Sequence, residues 1–226
     1  TPQIDTPHSR RRVSLADYEF ADLIDQQDKV RLLIDPTSSY AQAAAMAMGR
    51  AMDDVIITAS TGTAYTGETG SGTESAQTAI AASVGTGTGL NITKLRTAKE
   101  LLDKADVDPS IPRHVVCGPE QITNLLGTTE VTSSDFNTIK ALVHGEVDSF
   151  LGFKFTTSTR LAKSGNDRTV IAFAQDGITL GIGKDVNARI DERADKSYAT
   201  QVYYCMSIGA TRMEQAKVVP ITCTEA

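Results

Sequence analysis

The sequence has no tryptophan, and its aromatic residues make up only 5% of 226 residues. A core without large rings has to be filled by Ile, Val, Leu, Ala and Met. Cysteine is equally sparse. Cys117, Cys205 and Cys223 are odd in number, far apart and form no C-x-x-C pair. That pattern excludes a disulfide framework and a paired-thiol motif, and it reads as reduced, mostly buried thiols made in a reducing cytoplasm. No apolar run approaches the roughly 18 residues of a membrane-spanning helix, so no membrane partner is expected. A secretory leader pattern is also missing. Excess positive charge is missing too: the formal net charge is −6, which argues against broad nucleic-acid binding.

Catalytic apparatus is equally hard to find. There is no G-x-x-x-x-G-K-[ST] and no G-x-S-x-G. The glycine runs GETGSG and GTGTG lack a lysine and follow no clear buried strand, so they read as loop. His8, His114 and His144 are scattered, without the spacing that zinc requires, and take structural or surface roles. Asp103, Asp106 and Asp108 form D-x-x-D-x-D but run straight into Pro109. This reads as a helix end entering an acidic turn and not as a calcium loop. The expectation is therefore no enzyme, no metal and no cofactor.

What is present is one long helix signal over 36–59, PTSSYAQAAAMAMGRAMDDVIITA. At about 1.5 Å per residue it spans roughly 36 Å, against a typical helix of about 11–12 residues. Pro36 at the first helical position, or a capping box from Ser39 to Gln42, starts it. Tyr40, Ala44, Met48, Ala51 or Met52, Val55 and Ala59 recur every three or four residues and mark a buried stripe. Ala41, Ala43, Ala45 and Ala47 widen it, so packing over much of the helix girth is expected.

A charge-dense segment precedes the helix. RRRVSLADYEF alternates like a partly exposed strand, and ADLIDQQDKVRLLID admits either helix or strand. Arg10, Arg11 and Arg12 stand at its front. Asp17, Glu19, Asp22, Asp25 and Asp28 follow, answered by Lys29 and Arg31. A basic front and an acidic rear suit head-to-tail pairing between identical copies better than a solvated face or phosphate contacts. Residues 60–89, rich in Ser, Thr and Gly, read as a long flexible surface loop with room for a short strand inside.

The remainder is regular. NITKLRTAKELLDKADV is an amphipathic helix capped by Asn91, with Leu95, Ala98, Leu101, Leu102 and Ala105 on one face. HVVCG reads as a buried strand, PEQITNLLG as a helix, and SSDFNTIKALVHG as another helix. GFKFTTSTRL, RTVIAFA, GITLGIG, the alternating stretch 187–213 and AKVVPITC read as strands. The order is α+β without strict alternation.

Taken in this order, the segments resemble the major capsid proteins of tailed bacteriophages with the Hong Kong 97-like fold. The likeness spans nearly the whole chain and rests on the order of its parts, since no single motif is diagnostic. The segment from Asp5 to Ala59 looks like the returning strand of that family's extended loop followed by its spine helix. LNITKLRTAKELLDKADV with HVVCGPEQITNLLG looks like the start of its axial domain. The last strands look like the axial-domain close and the long peripheral strands.

The resemblance implies residues 1–34 as a remnant of arm and extended loop, 35–90 and 187–226 as a peripheral domain with the spine helix, and 91–186 as an axial domain. It also implies a structural role: copies joining as pentamers and hexamers of an icosahedral shell around double-stranded DNA. Portal and scaffolding proteins would be further partners, and contact with DNA would be non-specific. An encapsulin-like cellular compartment shares the fold and is the alternative. The family's N-terminal arm and outgoing half-loop would precede Thr1, so a processed or truncated start is expected.

Overall fold

The structure is a computed structural model, and it describes residues 9–25, 37–85, 87–127 and 149–225. The proposed helix from Ser133 to Gly145, together with Asp28, Lys29, Arg31, Pro36, His8 and His144, lies outside the described residues. In chain order the elements are β1 (Arg11–Arg12), β2 (Ala16–Ile24), α1 (Thr37–Thr61), β3 (Ala64–Thr66), β4 (Gly72–Glu74), α2 (Ile92–Lys104), β5 (Arg113–Cys117), α3 (Pro119–Leu126), β6 (Ser149–Phe150), β7 (Phe153–Thr157), β8 (Lys163–Ser164), β9 (Asp167–Ala174), β10 (Ile178–Arg193), β11 (Ala199–Arg212) and β12 (Val218–Thr224). They fall into two compact units. One comprises Thr1–Arg12, Ile57–Thr179 and Thr211–Ala226, the other Val13–Ile56 and Leu180–Ala210.

The larger unit is built on a sheet ordered β12-β9-β5-β7-β6, with β8 paired to β9. Only β5 and β7 run parallel; the other pairs are antiparallel. Val115, Cys117, Phe153, Val170, Ala172, Val219, Ile221 and Cys223 bring apolar side chains into one core with Leu95, Ala98 and Leu102 of α2 and Leu125 of α3. Each leucine buried there contributes about 2 kcal/mol. Helix α2 starts as its sequence predicts. The Asn91 side chain accepts from the Lys94 amide at 2.8 Å and donates to the Val84 carbonyl at 2.9 Å. Helix α3 begins on Pro119 and stops at Gly127. The C-terminal strand β12, grouped with the peripheral segment in the sequence, pairs along its length with β9.

Residues 60–85 and 87–89 hold more structure than the expected flexible loop with a short strand inside. They contain β3 and β4, which pair with each other and with β1. Further on, Ile80 bridges Ile221, donating its amide to the Pro220 carbonyl and accepting from the Thr222 amide, both at 2.9 Å. Ile80 and Leu90 are buried in the core. A Ser/Thr/Gly composition conceals this, because the anchoring is done by two isolated apolar residues and the backbone.

In the second unit the sheet order is β10-β11-β2. Helix α1 lies on one face of it. Met48, Ala51, Met52 and Val55 pack against Tyr18, Phe20, Tyr204, Met206 and Ile208. In the β11–β2 register Met206 faces Tyr18 and Tyr204 faces Phe20, so these residues share that face. The predicted stripe is present at Ala44 and Met48, but Ala43, Ala45 and Met46 are exposed. Along the sheet the helix therefore buries a single stripe and not most of its girth; near its end Ile57 enters a separate cluster with Leu161, Ile171 and Val218.

Residues Val13–Leu15 cross this sheet over glycines. A Cβ on Gly209 would press into the Ser14 carbonyl oxygen, and one on Gly183 would collide with the Leu15 side chain. Because the Ser14 obstruction is backbone, it cannot swing aside. Gly209→Val should cost about 2 kcal/mol by overpacking, read as a lower urea midpoint with an unchanged m-value.

Candidate functional site

The charged residues nominated from sequence fall into different environments. Arg10 is exposed and 3.9 Å from an equally exposed Glu68. Arg11 is turned inward: its guanidinium meets Glu74 at 2.5 Å and donates to the Met213 carbonyl at 2.6 Å, leaving the side chain 8% exposed. Arg12 donates to the Thr69 carbonyl at 2.9 Å. Arg11 and Arg12 thus clamp β1 onto the β3–β4 hairpin. Asp22 is half-buried and accepts from the Leu23 amide at 2.9 Å, and Asp25 is exposed just past β2. Among the described residues no ion pair joins the arginines to these aspartates.

Sequence inspection missed a cationic groove on the sheet face opposite α1. It encloses about 570 Å³ and is lined by Lys184, Asn187, Arg189, Asp191 and Arg193 of β10 with Gln201, Tyr203 and Cys205 of β11. The signal was available, because Asn187, Arg189, Asp191 and Arg193 are two apart and share one face of a strand. Arg193 is held by both oxygens of Asp195, at 2.7 and 2.6 Å, and by Gln201 at 3.1 Å. The Lys184 ammonium lies 3.1 Å from the Cys205 sulfur. The Tyr203 hydroxyl donates to Glu19 at 3.0 Å, and that carboxylate pushes the phenol up to about 12.

Three buried charges brace the larger unit. Arg212 is fully buried and donates to the carbonyls of Ser60 at 3.0 Å, Gly62 at 2.9 Å and Glu74 at 2.8 Å. Lys94, also fully buried, donates to the carbonyls of Thr88 and Gly89 at 2.8 Å and Thr222 at 3.1 Å. Desolvation lowers the pKa of both. Glu225 collects Arg168, Lys163 and Gln121 around one carboxylate that is 6% exposed. Its hydrogen bonds, from Arg168 first, hold it down at about 2 instead of the ordinary 4.5.

That depression has a definite sign. The carboxylate contributes stability that is complete above pH 4.5 and is lost as the pH falls toward 2. Acid titration of the unfolding midpoint should therefore steepen below 4.5. Glu225→Gln should lower stability at neutral pH and flatten that acid limb.

The remaining candidates carry no reaction chemistry. Cys117 and Cys223 are buried thiols with burial raising them to about 12 and about 11, and Cys205 is buried and unpaired as well. His114 stacks on Phe173 at 5.6 Å, its cross-strand partner. Asp103 pairs with Arg113 at 2.7 Å, and Asp108 accepts from the Ser110 amide at 2.8 Å, as an acidic turn does. Among the described residues no group of three or more His, Cys, Asp or Glu side chains is placed to hold a metal, and no helix is long and apolar enough to cross a membrane.

Comparison with known proteins places this geometry. A family model described as "Phage capsid protein" matches residues 1–225. No curated protein sequence matches the chain significantly. Among solved structures, it is similar to one from Mycobacterium phage Che8, with 20% identity, 91% of this chain and 70% of that one covered, and a TM-score of 0.64. The capsid of cyanophage P-SCSP1u gives 15% identity, coverages of 96% and 74%, and a TM-score of 0.69. The acid-stable capsid of Helicobacter pylori bacteriophage KHP30 gives 9% identity, coverages of 94% and 76%, and a TM-score of 0.71. At such identities the likeness is one of fold: the mixed α/β, Hong Kong 97-like capsid architecture.

Proposed function

The chain belongs to the phage capsid protein family, and from that premise we propose that its copies close into an icosahedral shell around double-stranded DNA, as a structural subunit of the virion and not an enzyme. The family match over residues 1–225 carries this reading. The unit built on the six-stranded sheet, which holds residues 91–179, is proposed as the axial domain that meets its copies at capsomer centres; residues 180–186, grouped with it in the sequence, fall in the other unit. The unit holding most of α1 is proposed as the peripheral domain, with α1 as the spine and residues 1–34 leading in from the extended loop. Contacts repeat head-to-tail between copies and close into rings of five or six. Portal and scaffolding proteins are the further partners this role requires.

Of the residues nominated for pairing between copies, Arg10, Asp22 and Asp25 are the ones proposed here from within the described residues. Arg11 and Arg12 have their donors engaged inside the chain. A chain with net charge −6 suits only non-specific contact with the packaged DNA.

The test is particle composition. Mass spectrometry of purified virions should find this polypeptide as the most abundant component, in DNA-filled particles. Its absence from virions, or particles filled with a cargo enzyme instead of DNA, would overturn the reading in favour of a cellular compartment.

A further inference from the structure

Resting on the shell reading, we propose that the open face of the β10-β11-β2 sheet is itself a contact between copies, in which Lys184 and Arg189 of one copy take the carboxylates Asp17 and Asp25 of the next. The face is identified by register. Tyr18, Phe20, Tyr204 and Met206 point toward α1. The alternate set therefore points away, and in it Asp17 pairs with Ser207, Glu19 with Cys205 and Leu23 with Gln201. Gln201, Tyr203 and Cys205 line the groove together with Lys184, Arg189 and Arg193, so the groove lies on this same open face.

Charge is segregated across that face. Strand β2 carries Asp17 and Glu19 there, with Asp25 just beyond it, and no cation anywhere in 16–25. Residues 199–210 of β11 carry no charge at all. The cations stand on β10, two strand spacings from β2, or roughly 9.5 Å. Among the described residues no ion pair joins the two sides. Glu19 is already occupied by Tyr203, and Arg193 by Asp195. Asp17 and Asp25 stand on one edge, and Lys184 and Arg189 outnumber the single groove carboxylate, Asp191, toward the other; Lys184 is engaged only by the uncharged Cys205 sulfur among the described residues.

A surface that is acidic at one edge and basic at the other is complementary to the next copy set beside it in the same orientation. That is the head-to-tail geometry a ring needs. Nucleic acid fits less well. In the groove Asp191 stands between Arg189 and Arg193, and Asp195 already holds Arg193, so the face offers a polyphosphate no continuous row of cations.

Charge swapping in the full-length capsid protein tests the contact, with shells counted by electron microscopy and sedimentation. The double reversal Lys184→Glu/Arg189→Glu should lower shell yield at least about tenfold by opposing like charges in every repeat of the contact. Adding Asp17→Lys/Asp25→Lys should restore most of it. Unchanged yield in the reversal overturns the proposal. So does a loss that the swap fails to rescue while thermal unfolding of the subunit is normal. Shells that form in normal number but hold less DNA also overturn it and assign the groove to nucleic acid. If the reversal does not fold, the neutral pair Lys184→Gln/Arg189→Gln serves: a partial loss supports the contact and full yield refutes it. Failure of the unmodified protein to form shells would instead count against the capsid reading.

Discussion

Arg212→Ala should destabilise the protein by about 3–5 kcal/mol, the largest effect expected of any single truncation in the chain. Helix α1 has no basic residue in its last turn, so its C-terminal carbonyls lack a local cation to complement the dipole. Arg212 supplies one from 150 residues away, reaching the carbonyls of Ser60 and Gly62 and, with its other nitrogen, that of Glu74 on β4. Removing it leaves three carbonyls buried without their donor. Each charge-assisted bond contributes about 1.5–3 kcal/mol, and each stranded acceptor adds a desolvation cost. Arg11 stands near enough to oppose the Arg212 charge, and this relief trims the loss somewhat. Arg212→Met separates the terms, since it keeps most of the volume and loses all the bonds. Urea unfolding should place Met close to Ala. A Met variant as stable as the parent would mean that the side chain acts by packing alone.

Lys94→Met should cost about 2–4 kcal/mol by the same logic. The ammonium sits among the Thr88, Gly89 and Thr222 carbonyls and ties the loop before α2 to β12. Desolvation lowers its pKa from the ordinary 10.5, while Cys223 and Asp167 oppose that shift. A methionine fills the channel but takes one donor from each of three acceptors, of which the Thr88 carbonyl keeps the Thr224 amide. The loss should appear in thermal unfolding and in faster amide exchange at Thr224, whose amide bonds the Thr88 carbonyl at 3.0 Å. Exchange at Thr224 that is unchanged in the variant would show the loop held without Lys94.

Much of the fold could be read from local pattern. Helix α1 was legible because alanine and methionine recur on a helical period. Helix α2 was legible because Asn91 is a side-chain cap and Leu95, Ala98 and Leu102 repeat on one face. What stayed hidden depends on partners far away in sequence. Arg11 and Arg12 looked like a free basic patch, yet Met213, Glu74 and Thr69 take their donors. Residues 60–89 looked unanchored because Arg212 and Ile221 hold them from the other end of the chain. The cationic groove was obscured because charges of both signs alternate along β10. Only the strand period separates Arg189 and Arg193 from Glu192, and the pairing with β11 then sets them beside Tyr203.

As a member of the phage capsid protein family, this chain is the repeating subunit of a closed shell. Cryo-electron microscopy of the full-length protein, produced together with the proposed scaffolding partner, tests this most directly. Closed icosahedral particles are expected, with capsomers of five and six copies that hold the six-stranded sheet toward their centres. A protein that stays monomeric at high concentration under those conditions would contradict it.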